Sequence, residues 1–364
     1  MRYFQKTAVK TGAVKMKAVK KVIGNLNKCY SIAPLTWNGK EYFLVAAEKQ
    51  DPCYLFDLEG NKVDTVWEGP GGVMSMVQIP GSNGCFLATH KFYSPNDSKE
   101  AKIVIVSPKE EGGWDVKTLV ELPHVHRFDI VTRNGVNYLI ACALKSGHEF
   151  KEDWSMPGKV YAAVLPDDLS DYNEDNQLPL TVLKDNMLKN HGYYRVDEDG
   201  VMTSVISADC GVFQFIPPEN AQGEWTINTL ITEASSDAVL IDMDGDGEKE
   251  LAVLSPFHGP VISIYKKQNG VFEKVYQYEK DADFTHAIYG GTLLGEPAVV
   301  IGHRKGDRDL IAFTYDKEAG AYKSEILDHD CGPANVFHYI KDGKDIIIGA
   351  NREIDEIAMY TIEA

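Results

Sequence analysis

Short apolar runs recur along the whole chain, and each is bounded by turns rich in glycine, aspartate and asparagine. The clearest example is residues 235–259, where Asp237 leads into an apolar run over residues 238–241 and a tight acidic turn follows. A second apolar run over residues 251–254 ends on Ser-Pro-Phe-His-Gly. Apolar runs of about four to eight residues between such turns are typical of buried β-strands. The segment therefore predicts a β-hairpin with a polar residue at its start.

The same second strand, followed by a polar exit, occurs seven times along the chain. The matching segments begin at residues 43, 86, 138, 202, 250, 298 and 345. Division of 364 residues by seven gives about 52 residues a unit, close to the roughly 40–50 residues of a four-stranded propeller blade. An apolar third strand follows each exit, and a more variable fourth strand leads to the next unit. We therefore predict an all-β fold, a seven-bladed β-propeller.

The two ends of the chain predict how the ring closes. The seventh unit stops at Ala364 after its third strand, so it lacks an outer strand. Residues 13–22 read AVKMKAVKKV, in which lysines alternate with small apolar residues as in a charged edge strand. We predict a single propeller domain over residues 1–364, in which residues 1–25 contribute the closing strand to the last blade.

The innermost strand of every propeller blade lines the central channel, so equivalent positions of all blades converge on the axis. In the seven units those positions carry Ser31, Ser75, His126, His191, Asp237, His286 and Asn335. Imidazole and carboxylate are ligands of Zn, Mn and related ions, so His126, His191, Asp237 and His286 predict an axial divalent metal. Two alternatives stay open: a polar channel without a metal, and an incorrect alignment of the units.

The acidic turn of the clearest unit carries Asp242, Asp244 and Asp246, followed by a glycine and Glu250. Alternating carboxylates place oxygen donors around one centre, as in a calcium loop. The twelfth position of an EF-hand would be Glu, but this chain has Val253 there. The loop instead resembles the strand-loop-strand calcium sites of integrin-type propeller repeats. We predict Ca²⁺ in the 242–250 loop, the alternative being a solvated turn without metal.

The loops that follow the second strands predict a second ring of polar groups, around the channel mouth. These loops carry Glu48, Lys49, His90, Lys91, Lys145, His148, Asp209, His258, His303, Arg304, Asn351 and Arg352. Such a set predicts a local cationic pocket suited to an anionic carbohydrate such as a uronate. The predicted substrate contacts are Lys91, Lys145, His258, His303, Asn335 and Asn351. Alternatively, these groups pair with nearby acids, for example Arg352 with Glu353 or Asp355.

The overall charge and the N-terminal sequence limit the partners and the compartment. A formal net charge of −17 disfavours nucleic acid, which needs clustered Lys and Arg. The chain has no apolar run of the length of a signal-peptide core or a transmembrane helix, and no membrane association is expected. These features predict a cytoplasmic protein, and they leave the oligomeric state open.

A histidine-rich and cationic funnel matches β-elimination beside a uronic carboxylate. The proton next to the carboxylate becomes acidic once a metal, Arg or protonated His neutralises that charge, and a neutral His or a Tyr then acts as base. The candidates for proton transfer are His90, His126, His191 and Tyr193. The candidates for charge neutralisation are Arg127, Arg304 and Arg352.

Several short motifs carry a resemblance to a known family. They are ATHKF (88–92), LPHVHRFD (122–129), KNHGYY (189–194), SPFHG (255–259) and GANRE (349–353). With these motifs the chain resembles the seven-bladed β-propeller polysaccharide lyases, the group that includes ulvan lyases and rhamnosyl-glucuronate lyase. The resemblance implies histidines, a tyrosine and arginines in a cleft on one face, with a metal nearby. The lack of a signal peptide departs from exported polymer lyases and favours an oligosaccharide substrate, or a related dehydration or isomerisation.

The competing hypothesis is a non-catalytic propeller that binds a glycan or a protein through its loops. It predicts exposed aromatic side chains on those loops, for which Phe92, Tyr93, Trp114, Trp154 and Phe257 are the candidates. The enzyme hypothesis instead predicts that the His and Arg positions converge and bind a metal.

Overall fold

The computed structural model describes residues 15–364 and confirms the predicted all-β, seven-bladed propeller. Seven antiparallel four-stranded sheets form a ring, and each sheet is one blade. The regular helical structure within residues 15–364 is a single 3₁₀ turn, Arg352–Ile354. No helix in that range has the length and apolar character needed to cross a membrane.

Blades 1 to 3 come from the first half of the chain, and each runs from the axis outward in sequence order. Blade 1 contains β2 (Cys29–Trp37), β3 (Lys40–Ala47), β4 (Cys53–Asp57) and β5 (Lys62–Trp67). Blade 2 contains β6 (Met76–Gln78), β7 (Phe86–His90), β8 (Lys102–Pro108) and β9 (Trp114–Glu121). Blade 3 contains β10 (Val125–Arg133), β11 (Val136–Lys145), β12 (Pro157–Val164) and β13 (Thr181–Met187).

Blades 4 to 6 repeat the same order. Blade 4 contains β14 (Gly192–Glu198), β15 (Val201–Ala208), β16 (Gly211–Ile216) and β17 (Thr226–Ile231). Blade 5 contains β18 (Asp237–Ile241), β19 (Glu250–Ser255), β20 (Val261–Gln268) and β21 (Val271–Gln277). Blade 6 contains β22 (Thr285–Leu293), β23 (Glu296–His303), β24 (Leu310–Asp316) and β25 (Ala321–Asp328).

Blade 7 joins the two ends of the chain. It contains β26 (Asn335–Lys341), β27 (Lys344–Asn351) and β28 (Glu356–Glu363), and its outer strand is β1 (Lys17–Asn25). Strand β1 runs antiparallel to β28, with Lys17 opposite Glu363 and Asn25 opposite Glu356. The predicted closure is therefore present, although the strand begins later than residue 13; residues 1–14 lie outside the described residues.

The core lies between neighbouring blades, because each central strand is apolar on both faces. One cluster, for example, packs Ala33 and Leu44 of blade 1 against Phe86 and Val104 of blade 2. Burial of such side chains is the main stabilising contribution to folding, at about 25 cal/mol per Å² of apolar surface. The outermost strands are largely exposed, which agrees with the lysine-rich sequence of β1.

Three inner strands carry a β-bulge close to the axis. The register shifts between Cys29 and Ser31 in β2, between Val125 and Arg127 in β10, and between Thr285 and Ala287 in β22. The extra residues are Tyr30, His126 and His286. A bulge redirects side chains out of the strict alternation of a strand and is common beside functional sites.

Candidate functional site

Three imidazoles converge at the axis of the ring. The side chains of His191, His258 and His286 offer one ring nitrogen each, and these nitrogens all lie within 4.8 Å of one another. His191 directly precedes β14, His286 is the bulge residue of β22, and His258 lies in the loop after β19. His191 and His286 are almost fully buried, whereas His258 is partly exposed.

The position of His258 depends on a local turn and on two aromatic side chains. His258 has a left-handed backbone with a φ of 53°. Its ring stacks between Phe257, at 3.9 Å between ring centroids, and Phe284, at 4.1 Å. Since stacked rings restrict the rotation of an aromatic side chain, the His258 imidazole is held facing the other two histidines. The Nε2 atoms of His258 and His191 are 3.4 Å apart.

The hydrogen bonds of the other two histidines determine which ring nitrogen is available. The Nδ1 of His191 lies 2.7 Å from Asp237 Oδ2, and the Nδ1 of His286 lies 2.6 Å from the Ala334 carbonyl oxygen. A carboxylate and a carbonyl can only accept, so each Nδ1 carries the proton and donates it. The Nε2 lone pairs of His191 and His286 then face the centre of the cluster. Carboxylate or carbonyl support of this kind is typical of histidines that bind metals.

Tyr30 and His126 complete the axial cluster beside the three histidines. The Tyr30 hydroxyl lies 2.9 Å from His286 Nε2 and 3.3 Å from His126 Nε2. The Nδ1 of His126 donates to the His191 carbonyl oxygen at 3.0 Å, so the Nε2 of neutral His126 is an acceptor. One hydroxyl proton can serve only one of these two acceptors. Burial raises the pKa of Tyr30 to about 12, which keeps that proton on the hydroxyl at neutral pH.

Three histidines of the cluster, His126, His258 and His286, are held neutral. Burial lowers the pKa of His126, His258 and His286 well below its usual range, and positive charge on neighbouring His and Arg side chains lowers it further. A metal ligand must be deprotonated, so these rings are ready to bind without releasing a proton. The three converging imidazoles of His191, His258 and His286 fit Zn, Mn or a similar divalent ion, with positions left for water or substrate.

The structure groups the side chains of the predicted metal set, His126, His191, Asp237 and His286, differently. His191 and His286 do come together, but their third partner is His258, which was predicted to contact substrate. Asp237 accepts the proton of His191 Nδ1 and so supports that ring from behind. His126 directs its Nε2 toward Tyr30. Tyr30 was not predicted as a residue of the axial cluster. The only signal for it in the sequence is its place beside Ser31 at the start of an inner strand.

The predicted cationic pocket at the loop face is largely neutralised by ion pairs. Glu353 contacts Arg304 at 2.7 Å and Arg352 at 2.9 Å, and Arg352 also pairs with Glu48. The alternative of pairing Arg352 with Glu353 therefore describes the structure, while Asp355 pairs with Lys28 instead. Both arginines are predicted charge neutralisers, and both have carboxylate partners, so their charge is not free for an anionic ligand.

The other predicted site residues of the loop face are engaged locally. Lys91 pairs with Glu100, and buried Lys145 donates to Asn96 Oδ1 and the Asp153 carbonyl oxygen. Asn351 donates to Glu356 and to the Tyr360 hydroxyl. None of the three lies in the axial cluster.

Two predicted histidines and a predicted tyrosine also lie apart from the axial cluster. The His90 ring packs against Trp67, and burial with two nearby lysines lowers its pKa to about 3. His303 bonds the Lys305 carbonyl oxygen and the Asp309 amide within its own loop. The Tyr193 hydroxyl lies 2.9 Å from Ser204 Oγ. These three groups are not positioned to exchange protons at the axis.

A lysine of strand β20 contacts the carboxylates of the acidic loop of blade 5. The Lys266 ammonium contacts Asp244, Asp246 at 2.6 Å and Glu250 at 3.2 Å. Burial alone would lower the pKa of Lys266, but the hydrogen bonds to these carboxylates raise it. The carboxylates of Asp242, Asp244 and Glu250 also lie within ligand distance of one another. Burial raises the pKa of Glu250. A calcium ion in the 242–250 loop would thus compete with an ammonium group that already neutralises part of its charge.

The comparisons with known proteins identify the fold. No protein-family model matches the chain, and no curated protein matches it. Among solved structures it is similar to a putative 6-phosphogluconolactonase from Bacteroides uniformis, at 14% identity and a TM-score of 0.53 over 92% of each chain. It is also similar to the Dos1 propeller, at 8% identity and a TM-score of 0.53, over 88% of this chain and 75% of that one. At these identities the likeness shows the propeller fold alone.

Proposed function

We propose that the protein is a metal-dependent, carbohydrate-active enzyme that acts on a uronate-containing oligosaccharide by β-elimination. The observation that carries the proposal is the convergence of the His191, His258 and His286 nitrogens within 4.8 Å. A binding face has no need for three converging imidazoles, one of them hydrogen-bonded to a buried carboxylate. Such an arrangement is typical of metal sites that keep a position open for substrate.

The metal site would supply charge neutralisation. A divalent ion there would polarise the substrate carboxylate and so make the neighbouring C–H proton more acidic. Asp237 and the Ala334 carbonyl keep His191 and His286 in the tautomer that leaves Nε2 without a proton. This role replaces the one predicted for Arg304 and Arg352, whose charges are paired with Glu353 and Glu48.

Tyr30 and His126 are the proposed proton-transfer pair. The hydroxyl lies within hydrogen-bond distance of His126 Nε2, and the His126 Nδ1 proton is held by a backbone carbonyl. His126 would accept a proton at Nε2, and Tyr30 would donate its own to the leaving oxygen. General acid–base groups of this kind contribute about 10²–10⁴-fold to a rate. Both groups are buried, so substrate would approach from the side of the more exposed His258.

A second substrate class follows from one comparison and from the ligand set. The Bacteroides uniformis protein with the similar fold is a putative 6-phosphogluconolactonase, a name that denotes a sugar lactone as substrate. Three histidines with an open position are also the ligand set of metal sites that activate water for hydrolysis. Sugar lactones therefore belong in the same activity screen as uronate oligosaccharides.

Metal content of the purified protein tests the proposal. We expect about one equivalent of a transition metal per chain, lost in the His258→Ala variant. His303→Ala is the matched control, because His303 also follows a second strand but bonds only within its own loop. The metal-loaded protein should then produce an ultraviolet-absorbing double bond from uronate oligosaccharides. Retention of the metal in His258→Ala, or its absence from the wild type at saturating Zn²⁺ and Mn²⁺, would contradict the proposal.

A further inference from the structure

A cavity of about 460 Å³ lies in the central channel, next to the axial cluster. Inner-strand residues of blades 1, 2, 3, 4 and 7 line it, and the histidines of the cluster do not. Its volume falls within the roughly 300–1,000 Å³ of small-molecule sites. The lining combines the aromatic rings of Tyr193 and Phe337 with the hydroxyl groups of Ser31 and Ser75. Aromatic faces and hydroxyl groups together suit a sugar ring.

Arg127 gives this cavity a positive charge. Every other arginine within residues 15–364 has a carboxylate partner, namely Glu219, Asp129, Glu353, Asp330 or Glu48. Arg127 instead donates to two neutral acceptors, the Met74 carbonyl oxygen at 2.7 Å and Asn335 Oδ1 at 3.1 Å. The carboxylate in the cavity wall, Asp129, is already bound to Arg195. Since a partly buried cation without an anion is costly, Arg127 leaves a charge for a ligand to satisfy.

The bulge in β10 explains how Arg127 reaches the channel. Alternation along a strand would place His126 and Arg127 on opposite faces, but the extra residue at His126 lets both side chains approach the axis. His126 then joins the axial cluster, and Arg127 lines the cavity. Asn335 connects the two regions, because its Nδ2 donates to the Tyr30 carbonyl oxygen while its Oδ1 accepts from Arg127.

We propose that the channel cavity is a separate binding site for a monosaccharide-sized sugar acid, whose carboxylate is bound by Arg127. A guanidinium group matches the two oxygens of a carboxylate, and Asn335 fixes its orientation. The sugar ring lies against the aromatic wall, and the serine hydroxyls contact its hydroxyl groups. The choice of a sugar acid rests on the proposed function, whereas the need for an anion rests on Arg127 alone.

Calorimetric titration of the metal-free protein with sodium glucuronate and sodium galacturonate tests this site. Binding should be detected, with glucose and acetate each weaker by at least tenfold because glucose lacks the charge and acetate lacks the ring. The Arg127→Gln variant should lose roughly tenfold to hundredfold in affinity, as expected for a charge-assisted hydrogen bond. Arg308→Gln is the matched control: it removes a guanidinium group that pairs with exposed Asp330, and it should bind as the wild type does.

Three results would overturn the inference: no binding of either uronate, unchanged affinity in Arg127→Gln, or acetate binding as tightly as the uronates. If Arg127→Gln fails to fold, Arg127→Lys retains the charge without the planar pair of donors and should still lose several-fold in affinity. Chelator is present throughout, so this result does not depend on the metal site. If the protein takes up no metal at saturating Zn²⁺ and Mn²⁺ but still binds uronate in the presence of chelator, the proposed function is refuted and the channel site stands.

Discussion

Replacement of Asp237 by asparagine removes the negative charge that supports His191 in the proposed metal site, without removing a proposed metal ligand. The Asp237 and His191 side chains are both almost fully buried, and their O–N distance is 2.7 Å. Asparagine Oδ1 can still accept the Nδ1 proton, so the ring keeps its orientation but loses the nearby negative charge. Loss of such support typically weakens metal binding by about 10–100-fold, or roughly 1.4–2.7 kcal/mol.

A competition titration against a chromogenic chelator measures this change with Zn²⁺ or Mn²⁺. Asp345→Asn is a close control, because Asp345 Oδ1 lies 2.7 Å from His338 Nε2, in a largely buried His–Asp pair outside the axial cluster. We expect weaker metal binding for Asp237→Asn and unchanged binding for Asp345→Asn. The reasoning is refuted if Asp237→Asn binds within about twofold of the wild type, or if both variants lose affinity equally.

Three further predictions concern the axial cluster and the acidic loop. Tyr30→Phe should cost about 1 kcal/mol of stability and lower turnover of uronate oligosaccharides by about 10²-fold or more, measured by denaturant unfolding and initial rates; unchanged turnover would exclude Tyr30 from proton transfer. The folded-state pKa values of His126, His258 and His286 lie well below the ordinary 6.5. As the pH falls, the unfolded chain therefore takes up protons at these histidines before the folded protein does. The free energy of unfolding of the metal-free protein should thus keep this contribution above about pH 6.5 and decrease as the pH drops below it, less steeply in His126→Gln. A free energy of unfolding that does not change with pH in this range would contradict the prediction. Lys266→Met should lower the melting temperature and make it depend on about 1 mM calcium, whereas a melting temperature indifferent to calcium would argue against a cation site.

The fold could be predicted from the sequence because its signal is repeated seven times. Each unit shows the same order of apolar runs, and an error in one unit does not change the period. Closure by the N-terminal strand followed from counting strands in the last unit. The start of that strand could not be read from the sequence, because the lysine-rich alternation has no turn residue that marks a boundary.

The axial site was predicted only in part, because its geometry departs from regular strands. Simple alternation selects Ser31 for the axis, and only the bulge in β2 brings Tyr30 there. His258 joins His191 and His286 through a left-handed backbone and through stacking on Phe284, which lies 26 positions further along the chain (284 − 258). Such a contact leaves no local pattern in the sequence.

The ion pairs of the loop face could not be predicted from the sequence for a similar reason. Arg352 meets Glu48 across the junction of blades 7 and 1, so residues from near the two ends of the chain neutralise each other. The sequence neighbours of Arg352 indicated Glu353 but not Glu48. The cationic character of this face was consequently overestimated, and the charge left without a carboxylate lies deeper, at Arg127.

Closure by strand β1 also bears on the order in which the protein folds. The pairing of Lys17 with Glu363 demands the longest loop closure between paired strands within residues 15–364. Ala334, whose carbonyl oxygen holds His286 Nδ1, directly precedes the inner strand of that last blade. The tautomer of His286 that is proposed to bind metal is therefore secured only when blade 7 docks against blade 6. During refolding, we expect the capacity to bind metal to arise in the slowest step, together with the meeting of the two chain ends.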